Sequence, residues 1–318
     1  MKSKLINFFK ISLPIAIGLY LTWYFISNST ELEKEYFVQS LSEANYGWIF
    51  CALTIAFLSH LSRAYRWKYL LETLDIKPKL SLMYHSVMIG YIINLTIPRS
   101  GELARAGYFS KYQKTKPDQV FGTIVVERVV DLIMFASIFF IAFFLQSDQD
   151  KFQELRQMGN NSSNPLVLPI FLLVVSTTSI LVISIKKIRV KAWNFLKGIF
   201  QGAITILKLK NKSAYILHTL FIWTAYVAML WITALALPDL QDININSIFA
   251  CFIAGTIAIG ATPGGIGLYP IMVASALIQL YGYDGQVAKS FGMLMWSSQT
   301  IFMVLLGLIS LIAIKKEN

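Results

Sequence analysis

Apolar residues gather into eight runs, near residues 11–28, 46–62, 83–97, 118–145, 165–185, 213–237, 248–281 and 287–314. Several reach the roughly 20 residues that a helix needs to cross hydrocarbon. Two do not read as plain crossings. The run that ends in IGYIINLTIPRSGELAR, from Ile89 to Arg105, is stopped by Pro98, which lacks an amide hydrogen and clashes with the turn before it; Arg99, Gly101, Glu102 and Arg105 follow. The run from 248 to 281 is interrupted at ATPGGIGLYP, where Pro263, Gly264, Gly265 and Gly267 mark a bend. The pattern predicts an all-α polytopic membrane protein with about six full spans and two re-entrant Gly/Pro-broken hairpins.

Backbone released by Pro98 and Gly101 must find partners in protein or in a water-filled cavity, since hydrocarbon offers none. If a helix restarts after Pro98, its free amides and positive dipole end, with Arg99 and Arg105, form a site for an anion such as phosphate. The same residues also suit a helix leaving the bilayer, its two arginines marking the cytoplasmic surface. The second break has no charged side chain of its own. Its glycines permit close backbone approach and unusual dihedrals, as a bend or an anion-binding nest requires.

Composition and charge narrow the picture. The 318 residues are 56% hydrophobic and 14% charged, with a mean hydropathy of +0.58, so the chain reads as one integral membrane domain, 1–318. No hydrophilic stretch within it is long enough for a soluble catalytic domain. The lysines before the first run suggest a signal peptide, but without a convincing small-residue cleavage site the run reads as a retained helix. Cys51 and Cys251 lie in apolar runs without metal-site spacing and read as packing residues.

The net charge of +11 would suggest nucleic acid only if its placement were ignored. Segments 1–10, 63–80, 98–117, 186–212 and 315–318 carry 23 of the 28 basic residues, whereas 29–45, 146–164, 238–247 and 282–289 hold ten acids and four cations. The positive-inside rule makes the first set cytoplasmic, with both termini, and points to the inner membrane. Residues 83–105 then enter and leave on the cytoplasmic side, and 248–281 on the outer side. The acidic stretch ELEKEYFVQSLSEAN reads as lying on the outer surface. Residues 186–212 mix lysines with Trp193, Phe195 and Phe200, as in a basic amphipathic segment on the cytoplasmic leaflet or an ordinary basic loop.

Candidate polar residues follow in order. Arg63 and Arg66, three apart on one helical face, either reach lipid phosphates or snorkel to the surface, with Trp67 at the interface. Asn94 interrupts the first broken run. Glu127, Arg128 and Asp131 lie within one apolar helix, where each charge costs about 2.5 to 3.5 kcal/mol, so they face a polar path or form a structural ion pair. His218 reads as a hydrogen-bonded packing residue rather than a proton relay. Setting Ile89 over Ala254 matches Gly90 with Gly255, Ile92 with Ile257 and Pro98 with Pro263, an offset of 165 residues. Residues 46–145 and 213–314 would then be the halves of an inverted-topology repeat, the sequence signature of a transporter with a midplane site, unless the match between two Gly/Pro-rich helices is chance.

RAYRWKYLL at Arg63, NLTIPRSGELAR at Asn94, VVERVVDL at Val125 and TPGGIGLYP at Thr262 together resemble the membrane flippase region of lysylphosphatidylglycerol synthases and their stand-alone flippase-like relatives. Many relatives carry an acid shortly after the PGGxG turn, where this chain has Tyr269 and Pro270. The resemblance implies movement of a lipid or lipid-linked head group between leaflets. Arg99 and Arg105, with Arg63 and Arg66, would hold the anionic head group; Asn94 and Glu102 complete the substrate-binding set with Glu127, Arg128 and Asp131, which would shape the polar path. No catalytic residue, metal or cofactor is expected, and nucleic acid is not an expected partner. Two other readings stay open: a membrane enzyme or subunit that modifies a phospholipid head group, and a non-transporting partner of a cell-envelope synthesis system. A homo-oligomer fits any of them.

Overall fold

The structure, a computed structural model, describes residues 29–97, 99–145 and 204–317, together with residue 16, residues 18–24 and the single positions 27, 190, 197, 198 and 202. Pro98, the helix expected over 165–185, half of the first run and just over half of the basic segment 186–212 lie outside the described residues. Among those described there is no strand. The helices are α1 (Glu31–Glu43), α2 (Tyr46–Leu71), α3 (Leu80–Thr96), α4 (Gly101–Gln113), α5 (Pro117–Leu145), α6 (Lys212–Ala234), α7 (Ile245–Ala261), α8 (Leu268–Tyr281) and α9 (Gly285–Ala313). They fall into two compact units, residues 1–124 with 209–318, and residues 125–208.

Among the described residues, three helices are long and apolar enough to cross a membrane: α2 with the 3-10 turn that extends it to Leu74, α6, and α9. The legs of the two broken runs are shorter. α3 and α7 have 17 residues each and α8 has 14, and at 1.5 Å per residue a 17-residue helix reaches about 25 Å, short of a hydrocarbon core of about 30 Å. In both runs the second leg packs back on the first. Gly101 donates its N–H to the Asn94 side chain at 2.7 Å, between α4 and α3. The Gly255 notch in α7 receives the Tyr269 ring of α8, so closely that a Cβ at 255 would lie 2.5 Å from it. At the base of this second hairpin, Asn244 donates its N–H to the Tyr283 hydroxyl at 3.4 Å.

α9 orders the first unit. Moving along it, Lys289 bonds α1, Gly292 faces the backbone of Pro270 in α8, and Trp296 Nε1 donates to the Gly264 carbonyl at 3.0 Å. Farther on, Gly307 faces Ile92 of α3, and Ser310 bonds His85 of α3 at 3.0 Å. The second hairpin thus lies on the first half of α9 and the first hairpin on its second half. Their tips meet between, where a Cβ at Gly264 would be 2.1 Å from Leu95. Gly264, Gly265 and Gly267 have φ of 59°, 75° and 72°, the left-handed backbone foreseen for the bend. The bounds of α3 and α7 differ by 165 residues at both ends, the offset of the sequence match.

α2 and α6 pack antiparallel. Asn45 donates its N–H to Ala236 at one end, and Ser62 bonds His218 at 2.8 Å nearer the other. His218 therefore sits in the packing as expected, and Cys51 and Cys251 are both free thiols. In the second unit, Gly202 lies against Val129 of α5.

The acidic stretch after the first run forms α1, opened by a capping box in which Thr30 and Glu33 exchange hydrogen bonds. Lys289 bonds both Glu33 oxygens, at 2.7 and 2.8 Å. Burial works against the Glu33 carboxylate, yet the Lys289 ammonium and the Thr30 amide outweigh it and hold its pKa below the usual value. A depressed carboxyl stabilises the fold above its unfolded pKa, about 4.3 for Glu, and this contribution disappears as pH falls through the lower folded value. Glu33→Gln should lower the melting temperature at neutral pH by roughly 1 to 3 °C. It should also flatten the acid limb of a melting-temperature profile, and an unchanged limb would remove the pair's role.

Candidate functional site

The site is built from arginines that helices bury. Arg63 and Arg66 of α2 are 3% and 0% exposed. They therefore do not snorkel, as a lone amphipathic helix would allow. The reason is tertiary, for α6 runs along this face and offers polar partners. Arg63 donates to the Tyr226 hydroxyl at 3.1 Å. Arg66 donates to Thr219 Oγ1 at 3.0 Å and lies 5.3 Å from the centre of the Tyr215 ring.

Trp67 is fully buried. Its Nε1 donates to Thr123 Oγ1 at 2.8 Å, and its ring packs on Phe109 at 4.8 Å. So held, the indole becomes a platform: the Arg105 guanidinium of α4 lies 3.8 Å from its centre. Such a contact contributes about 0.5 to 2 kcal/mol, toward the upper end when desolvated. Arg66 and Arg105, far apart in sequence, thus flank adjacent backbone positions of one helix.

Arg105 reaches the platform because α3 and α4 cross at glycines. A Cβ at Gly101 would sit 2.0 Å from the Gly90 carbonyl, and one at Gly90 would sit 3.3 Å from Arg105 Cβ. Asn94 completes the turn, accepting from Gly101 and donating to Glu102 at 3.4 Å. The restart of the helix is therefore not fully open, since its first amide is already taken by Asn94. Arg99, expected to share the site with Arg105, is exposed at the turn with φ of 58°. The two cations of this motif occupy unlike surroundings.

In the second unit the triplet of α5 divides. Glu127 and Asp131 are buried, at 0% and 8% exposure, while the Arg128 side chain is 41% exposed and its Nη1 stands 3.5 Å from Asp131. The expected i,i+3 pair is present, with its acid turned inward and its cation outward.

Trp67, Tyr215, Thr219 and Tyr226 escaped the sequence reading as site residues. Aromatic and hydroxyl side chains in apolar helices give no signal by themselves, and only the packing of α2 against α6 and α4 assigns them. Among the described residues no group of three His, Cys, Asp or Glu stands ready to hold a metal.

Residues 11–307 match the family described as Lysylphosphatidylglycerol synthase TM region. Over 113 residues the chain is 28% identical to the UPF0104 membrane protein MJ1595 of Methanocaldococcus jannaschii, covering 34% of this chain and 34% of that protein. The match thus spans about a third of that relative's length. No solved structure matches the chain.

Proposed function

Because the chain belongs to the family of the lysylphosphatidylglycerol synthase transmembrane region, we propose that it moves a lipid or lipid-linked head group across the cytoplasmic membrane. Its buried arginines hold the anionic phosphate. The observation that carries this reading is the buried set Arg63, Arg66 and Arg105, with Arg105 stacked on Trp67. The planar fork of a guanidinium matches phosphate oxygens two at a time, which a lysine ammonium cannot do. Asn94 keeps the Arg105 helix in register, with Glu102 beside it; within the second unit, the buried Glu127 and Asp131 with Arg128 form a polar stretch of their own.

The two hairpins belong to the halves of an inverted repeat, residues 46–145 and 213–314, and enter from opposite faces, with the cytoplasmic termini set by the basic segments. The packing of one hairpin on each half of α9, with tips meeting near its middle, supports this reading. Cysteines at Ser81 and Thr115 should label from the cytoplasm, and those at Asn244 and Tyr283 from outside. The background would lack Cys51 and Cys251, and an impermeant thiol reagent would be applied to cells and to inverted vesicles. If the members of either pair labelled from opposite sides, that hairpin would be a crossing. Translocation itself is tested in proteoliposomes with labelled phospholipid and labelled polyprenyl phosphate. Rates no higher than those of protein-free vesicles for every lipid would end the proposal.

A further inference from the structure

His60 lies on α2 one turn before Arg63, and residues three apart share a helical face. Its ring packs on Tyr91 of α3, with centroids 5.1 Å apart and planes at 60°. Its Nδ1 is sealed from solvent and has no hydrogen-bond partner. A buried imidazole nitrogen without a partner is costly, and hydrocarbon supplies none. Nearby hydroxyls do not relieve it: Ser59 bonds its own Ala56 carbonyl, and Ser62 bonds His218. Arg63, next on the face, already gives a guanidinium N–H to Tyr226.

A group that satisfies His60 therefore approaches beside a cation, between α2 and the first leg of the broken hairpin. With the ring proton on Nδ1, that group presents an oxygen to the imidazole N–H. We propose that His60 is a further head-group residue, its Nδ1–H donating to a phosphate oxygen of the lipid that Arg63 binds. This rests on the lipid head-group reading above and deepens it. The helix α2 then supplies three successive contacts, His60, Arg63 and Arg66, along the face that α6 and the first hairpin enclose. Tyr91 orients the ring, so that binding is coupled to the position of α3.

The test is a binding titration of purified protein with short-chain phosphatidylglycerol, run beside inorganic phosphate and read with melting temperatures. His60→Phe keeps a ring against Tyr91 and removes the nitrogen. It should weaken lipid binding roughly tenfold while leaving the melting temperature close to that of the parent. His60→Gln retains an N–H donor and should recover most of that loss. Parent-like affinity in His60→Phe overturns the proposal, and so does an equal loss in both variants, which would make the ring structural. Inorganic phosphate binding as tightly as the lipid would overturn the lipid as the source of the phosphate. If the parent protein bound no anionic lipid, the head-group reading itself would fall. If the parent bound and Arg66→Gln lost binding while His60→Phe did not, only the assignment of His60 would fail.

Discussion

Gly101→Ala should cost this protein more stability than other small-residue changes in the first hairpin, by about 2 to 4 kcal/mol. The added Cβ would lie 2.0 Å from the Gly90 carbonyl oxygen and 2.5 Å from Asn94 Cγ and Nδ2. The first obstacle is backbone, which cannot rotate away as a flexible side chain can. Relief requires α3 and α4 to separate. That separation breaks the Asn94 bond to the Gly101 amide and carries Arg105 off the Trp67 ring. Gly107 in the same helix has nothing within 4 Å of its would-be Cβ. Gly107→Ala should therefore be neutral or stabilising by up to about 1 kcal/mol, the intrinsic helix preference of alanine. Melting curves of the two variants in one detergent make the comparison. If Gly101→Ala melted with Gly107→Ala, the close crossing of the hairpin legs would be wrong.

The second large effect is expected in transport rather than stability. Arg105→Lys keeps the charge but loses the planar stacking on Trp67 and the two-pronged geometry that fits a phosphate. Rates in proteoliposomes should fall roughly tenfold or more, since a hydrogen bond to a charged group is worth about 1.5 to 3 kcal/mol. Arg66→Lys should behave alike, because its guanidinium is set by Thr219 and Tyr215. Arg99→Gly provides the contrast. Arg99 has φ of 58°, in the region glycine enters without penalty. This variant should gain about 1 kcal/mol of stability, while the loss of an exposed cation lowers transport only modestly. Equal transport loss at Arg99 and Arg105 would place the head group at the turn and not at the buried platform.

The substitutions separate two kinds of information in the chain. Hydropathy and the proline and glycine breaks are local, and they marked α2, α6 and α9 as long apolar helices and located both hairpins. The left-handed glycines of the second tip were legible for the same reason, since only a residue without Cβ enters that backbone region freely. The pair Arg128–Asp131 followed from helical spacing alone. Family membership was also written locally, in four short motifs.

What the sequence by itself determined is therefore where the chain is apolar, where it must break and which charges lie within apolar helices. Which way each helix faces was decided only by tertiary structure, because the rotation of an apolar helix about its axis depends on partners distant along the chain. Tyr215, Thr219 and Tyr226, 149 to 163 positions beyond the arginines they contact, turn a pair that could snorkel into a buried one. Arg99 and Arg105, six residues apart in one motif, were indistinguishable by pattern, yet the turn exposes one and the Gly90–Gly101 crossing buries the other. The orphan nitrogen of His60 likewise appears only when α3 closes over it, since an unsatisfied polar atom is a property of packing and not of residue type.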